Sequence, residues 1–114
     1  MDEDQGKILA THRQELRRGT LVVACLLACR TPRYGYALLE HLADARLDAE
    51  ANTLYPLLRR LEVQGLLQAE WNTDEPRPRK YYRTTPEGEA IVAELRDDWL
   101  RLTDSMTRLG KDPS

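Results

Sequence analysis

Asn52-Thr53-Leu54-Tyr55-Pro56-Leu57-Leu58-Arg59-Arg60-Leu61-Glu62-Val63-Gln64-Gly65 is the stretch whose reading decides the fold. Leu54, Leu57, Leu58 and Leu61 fall at i, i+3, i+4 and i+7, the apolar stripe of an amphipathic helix. The other side carries Asn52, Thr53, Tyr55, Pro56, Arg59, Arg60 and Val63, with Glu62 the one acid nearby. Two guanidiniums beside amide and hydroxyl groups suit phosphate oxygens or guanine edges. Taken alone, the pattern equally describes an ordinary surface helix, so its meaning rests on what flanks it.

The chain has 114 residues, enough for one domain with a modest core. Hydrophobic residues make up 41% and charged residues 32%, and the apolar residues come in blocks with helical spacing, which excludes a disordered chain. The longest such block, Leu21 to Cys29, is far too short to span a bilayer. The acidic start Met-Asp-Glu-Asp-Gln is unlike a signal peptide, so a cytoplasmic protein without membrane partners is expected. The net charge of -2 hides an uneven distribution. Residues 6–33 sum to +5 and 51–83 to +2, while 1–5, 34–50 and 84–109 each sum to -3. One basic face on an acidic remainder permits DNA binding.

Upstream, residues 6–17 read as a first helix with Ile8, Leu9, His12 and Leu16 on one side. Gly19 is expected to interrupt it and Thr20 to cap a second, buried helix over Leu21–Cys29, ended by Thr31-Pro32-Arg33. A third helix is predicted from Tyr34 to Ala45, with Gly35 serving either close packing or a turn. Arg46–Ala49 is a short connection to the opening stretch, which fits helix-turn-helix geometry. Asp48 is read as the N-cap of that last helix. Pro56 then leaves two starts: Tyr55, with proline in the first position, or near Glu50 with a local irregularity. The second is favoured.

Downstream, Gly65 ends the helix. Leu67, Ala69 and Trp71 alternate with polar residues as in a half-buried strand, and Arg79–Thr84 alternates again. Asn72–Pro78 between them makes a hairpin, a wing whose tip could bring Arg77, Arg79 and Lys80 to a phosphate or minor groove, with a hairpin that only covers the core as the other reading. Thr85-Pro86-Glu87 starts a final helix reaching about Leu109. Ile91, Leu95, Trp99, Leu102, Met106 and Leu109 form a coiled-coil-like seam about 27 Å long. Such a seam pairs most economically with a second copy, and packing back on the domain is the other outcome. Gly110–Ser114 is expected to fray. The expected fold is mainly α with a small β-hairpin: residues 1–84 as N-terminal helix plus winged helix-turn-helix, and 85–114 as dimerisation helix and tail.

Several stretches together resemble the PadR family of bacterial transcriptional regulators, in its short branch with a single C-terminal helix. They are Leu16-Arg17-Arg18-Gly19-Thr20, Tyr34-Gly35-Tyr36, Thr53-Leu54-Tyr55-Pro56 with Arg60-Leu61-Glu62 and Gly65-Leu66, and Arg77-Pro78-Arg79-Lys80-Tyr81-Tyr82-Arg83 with Thr85 and Gly88. The resemblance implies a homodimeric repressor on double-stranded, palindromic operator DNA, and a recognition helix that starts before Thr53. It places Thr53, Tyr55 and Pro56 near the DNA and the Arg77–Lys80 run, with Arg79, in the wing. Combined with the outer face of the helix, the expected contact set is Asn52, Thr53, Tyr55, Pro56 and Arg59, with Arg60 at the backbone. Many members carry a glycine pair where this chain has Glu75-Pro76. That stiffer, more acidic tip argues against deep minor-groove insertion and leaves phosphate contact by Arg77 and Arg79.

Trp99 matches a tryptophan in similar regulators of multidrug-pump genes, where two copies sandwich flat aromatic drugs across the dimer. A paired-indole slot suits planar cationic effectors, and Asp97, Asp98 and Asp104 stand close in sequence. Simple filling of the dimer seam by Trp99 is the alternative. Cys25 and Cys29 read as buried free thiols, with a redox switch as the other reading. Neither His12 nor His41 completes a metal site, and no catalytic constellation or cofactor motif appears, so no enzyme is expected. A winged helix that binds an acidic protein partner is the competing function.

Overall fold

Regular structure starts at Asp2, whose carboxylate accepts a hydrogen bond from the Gln5 N–H at 2.8 Å. The Gln5 side chain accepts one in return from the Asp2 N–H at 3.1 Å. This capping box pairs two of the N–H groups that a helix start leaves open. The computed structural model describes residues 1–74 and 76–111. In order these form α1 (Glu3–Ala28), β1 (Arg33–Tyr34), α2 (Gly35–Asp44), α3 (Ala51–Val63), β2 (Leu67–Asn72), β3 (Arg79–Thr84) and α4 (Pro86–Lys111).

The expected break at Gly19 does not occur: α1 runs unbroken for 26 residues. A glycine inside a helix costs only about 1 kcal/mol, which a long helix tolerates. The Thr20 hydroxyl donates backward to the Leu16 carbonyl at 3.2 Å instead of capping a new helix. Only the second half of α1 enters the core, through Leu21, Cys25 and Leu26, with Cys29 just beyond its end. The first half projects into solvent, and Leu16 is 76% exposed. The radius of gyration is 16.8 Å, well above the roughly 13 Å of a compact domain of this length.

Helices α2 and α3 close the core with Leu38, Leu42, Leu54, Leu57, Leu58 and Leu61. Both end in the same way. Arg46 at φ 63° and Gly65 at φ 77° reverse the chain, and the next residues, Leu47 and Leu66, donate back to Leu42 and Leu61 at 2.8 and 2.9 Å. Helix α3 begins at Ala51 with Glu50, not Asp48, as its N-cap, and the cap makes no side-chain hydrogen bond. Pro56 lies inside the helix. The missing donor would have served the Asn52 carbonyl, and both residues are on the exposed side, open to solvent.

The expected hairpin is the larger part of a three-stranded antiparallel sheet in the order β1-β3-β2. Strand β1, with Arg33 expected in a helix-ending cluster and Tyr34 at the start of a helix, pairs Arg33 with Tyr82 and Tyr34 with Tyr81. Leu67 and Tyr82 are buried beneath the sheet, but Trp71, on the same pleat face, extends past the core and is 63% exposed. The wing-tip departure at Glu75 and the tail residues 112–114 lie outside the described residues, and α4 itself continues through Gly110 to Lys111. Thr85 caps α4, its hydroxyl accepting from the Gly88 N–H at 3.0 Å. Gly88 is pressed against the Leu66 carbonyl, where an added Cβ has no room.

Cys25 and Cys29 are fully buried, and burial pushes their thiols from an ordinary 9.0 up to about 12 and about 11. Both stay protonated near neutrality, the inert form. The unfolded chain ionises first, so this contribution to stability is intact below pH 9 and declines as pH climbs from 9.0 toward about 11. Folded protein at pH 8 should leave an aromatic disulfide reagent unreacted and release two thiols per chain once denatured. Urea unfolding checks the two glycines from opposite sides. Gly19→Ala, with open space around its Cβ, should gain about 0.5–1 kcal/mol. Gly88→Ala should lose about 1–3 kcal/mol or more.

Candidate nucleic-acid interface

Helix α3 buries its leucine stripe and presents three outward strips, each with different surroundings. Asn52, Pro56, Arg59 and Val63 form the outermost ridge and are all exposed. Thr53, Pro56 and Arg60 border a groove against α1. On the other flank, Tyr55 and Glu62 turn toward α2 and the sheet. A Cβ on Gly35 would come within 2.5 Å of the Tyr55 ring, so Gly35 is the close-packing glycine that lets the hydroxyl end of the ring approach the start of α2. Tyr55 remains 38% exposed at its outer edge.

The wing's basic run is divided by the strand pleat. Lys80 points to the α3 side, where its ammonium stands 3.4 Å from a Glu62 carboxylate oxygen and 5.5 Å from the centre of the Tyr82 ring. Burial raises the Tyr82 hydroxyl pKa, with Lys80 opposing and Glu62 and Tyr55 adding to the rise. Arg79 points to the opposite face, 5.3 Å from the centre of the Tyr34 ring, which meets Tyr81 edge-on and receives a 3.1 Å hydrogen bond from Asn72. Glu70 on that face accepts from Tyr81 at 2.9 Å and from Arg83 at 3.0 Å. Arg77 lies in the exposed loop. Thus Arg79 borders one face of the wing and Arg77 its loop, while Lys80 links the wing to α3. The latch residues Glu62 and Tyr82 escaped the sequence reading. The isolated acid on an otherwise uncharged or basic helix face was the available signal.

The proposed seam residues lie along α4, beyond the core, which takes only Gly88 and Val92 from this helix. Leu95 is half-buried, whereas Ile91, Trp99, Leu102, Met106 and Leu109 are exposed, Trp99 at 45% and Leu102 at 60%. Asp98 pairs with Arg101 at 3.5 Å and Asp104 with Arg108 at 2.9 Å. Among the described residues no three His, Cys, Asp or Glu side chains gather into a metal site, and no helix is long and apolar enough to cross a membrane.

Two helices joined by a tight turn, the second flanked by a basic hairpin, define a winged helix-turn-helix protein. The Transcriptional regulator PadR-like family model matches residues 23–94. The chain belongs to that family, whose members regulate transcription by binding DNA and are not enzymes. It is 48% identical to a PadR family transcriptional regulator from Eggerthella lenta, whose crystal structure superposes with a TM-score of 0.88 over 96% of this chain and 98% of that one. A PadR-like transcription factor from Bacteroides fragilis is 34% identical, with a TM-score of 0.72 over 87% of this chain and 98% of that one. Transcriptional regulator Rv3488 of Mycobacterium tuberculosis is 40% identical over 63 residues, 55% of this chain and 59% of that protein.

The Gly35–Tyr55 contact yields a separable outcome. A methyl at Gly35 meets only the far end of a side chain, so Gly35→Ala should swing the Tyr55 ring outward at a stability cost of about 1 kcal/mol or less. DNA affinity should fall about fivefold or more, measured by fluorescence anisotropy beside a urea melt.

Proposed function

We propose that the protein is a homodimeric transcriptional repressor that binds a palindromic operator through α3 and the wing and is released by a ligand at the dimer interface. The carrying observation is the exposed apolar residues on the first half of α1 and along α4. Ile8 and Leu16 on α1, and Trp99, Leu102, Met106 and Leu109 on α4, are all exposed in the single chain. A second copy buries both sets at once, the commonest oligomeric arrangement for such a surface. Residues 1–84 then serve as the DNA-binding part and 85–114 as the pairing helix and tail, with α4 fixing the distance between two recognition helices.

Within that dimer, Asn52, Thr53, Tyr55, Pro56 and Arg59 face the bases, and Arg60, Arg77 and Arg79 face phosphates. Lys80 acts mainly by holding the wing to Glu62. The two copies of Trp99 border a slot suited to planar cationic or hydrophobic molecules, with Asp97 supplying a carboxylate that has no ion pair among the described residues. A ligand that changes how the α4 helices pack moves the recognition helices out of register with successive major grooves, about 34 Å apart. The protein works in the cytoplasmic compartment that holds the chromosome.

The test is binding to DNA upstream of its own gene, followed by anisotropy across a salt series. Specific binding should exceed that to random duplex and fall steeply with salt. Arg59→Ala should weaken it by about 1–3 kcal/mol. Leu102→Arg with Met106→Arg should give monomers in the ultracentrifuge and abolish operator binding while leaving the far-ultraviolet circular dichroism intact. Equal, weak binding to every duplex defeats the proposal.

A further inference from the structure

We infer that the groove between α1 and α3 binds a small amphipathic organic anion, whose occupancy competes directly with DNA. This rests on the reading of α3 as the DNA-facing helix and adds a second control site, separate from the Trp99 slot. The groove has a volume of about 520 Å³, within the usual range for small-molecule sites. Three guanidiniums border it: Arg17 and Arg18 from α1 and Arg60 from α3. None of the three forms an ion pair among the described residues. Asp48 and Glu50, on the connection before α3, border the groove at the start of that helix, two turns and more from Arg60. The lining therefore holds three positive side chains against two negative ones.

Its lining also includes Leu21 and Leu57, both buried, and the ring of Pro56. A bare phosphate has no use for such surface, whereas an organic acid covers it with its body and offers its charge to the arginine forks. The proposed dimer leaves the groove open. Successive helical residues turn about 100°, so Gln14, Arg17 and Leu21 point roughly opposite to Ile8, His12 and Leu16 on the same helix. Competition follows from shared residues. Thr53, Pro56 and Arg60 border the groove and belong to the outward side of α3, so an anion there neutralises Arg60 and fills space beside the helix. Linkage then requires DNA to weaken the anion by the same factor by which the anion weakens DNA.

The probe is 1-anilinonaphthalene-8-sulfonate, an aromatic anion that brightens on leaving water, titrated into the full-length protein. Arg17→Ala and Arg18→Ala should each weaken its binding about tenfold, Arg96→Ala, an exposed arginine outside the groove, should leave it unchanged, and operator DNA should displace it from wild type. The inference fails if the dye does not bind or binds both arginine variants as it binds wild type. It also fails if binding is lost with Trp99→Ala, which locates the dye at the dimer seam, or if saturating operator leaves the dye in place. The arginine variants are compared without DNA, so the site is judged even if no operator exists. Weaker DNA binding by those variants without any dye binding would instead make Arg17 and Arg18 plain backbone contacts.

Discussion

The whole arrangement hangs on five residues, Thr84 to Gly88, where four elements meet. Thr84 donates its N–H to the Cys29 carbonyl at 2.8 Å and its hydroxyl to the Leu26 carbonyl at 2.7 Å, so the end of β3 is tied to the end of α1. Thr85 donates its N–H to Leu66 at 3.1 Å and its hydroxyl to the Gly65 carbonyl at 2.6 Å, at the turn that ends α3. The same hydroxyl caps α4 through Gly88, which packs on the Leu66 carbonyl too closely for any side chain. Arg30 and Glu89, 3.2 Å apart, add an ion pair across α1 and α4. The C-terminus of the DNA-facing helix and the N-terminus of the pairing helix thus share one rigid joint. In the proposed dimer, a change in α4 packing passes through this joint to α3.

A second, looser tie holds the wing. Lys80, Glu62 and Tyr82 join β3 to the side of α3, but the ion pair is about one-third exposed on each partner and worth at most about 1 kcal/mol. The rest of the wing is ordered on its far face by Tyr34, Tyr81, Asn72 and Glu70. The wing that carries Arg77 and Arg79 is therefore held to α3 by less buried contact than holds α3 itself, which is fixed by four buried leucines.

The sequence carried most of this because its strongest signals are periodic and local. The leucine stripe of α3, the glycine at its end, the Thr85 cap and the long α4 helix each follow from signals within one element, and resemblance to a known family agreed with them. The misses are contacts between elements. Nothing local distinguishes a glycine that breaks α1 from one it tolerates. The two-residue β1 has no periodicity to read, and pairs with β3 only because α1 and α2 deliver it there. Trp71 follows strand alternation yet ends exposed, since the core stops short of it. The Lys80–Glu62 tie spans 18 residues of sequence and needed the hairpin to fold back before it existed.

The central claim is that two copies of this chain present two α3 helices to successive turns of one duplex. Hydroxyl-radical footprinting of the complex on DNA from upstream of its own gene tests it most directly. The account predicts two protected patches on one face of the helix, related by a two-fold axis and centred about 34 Å apart. A single patch, or protection spread evenly along the fragment, would contradict it.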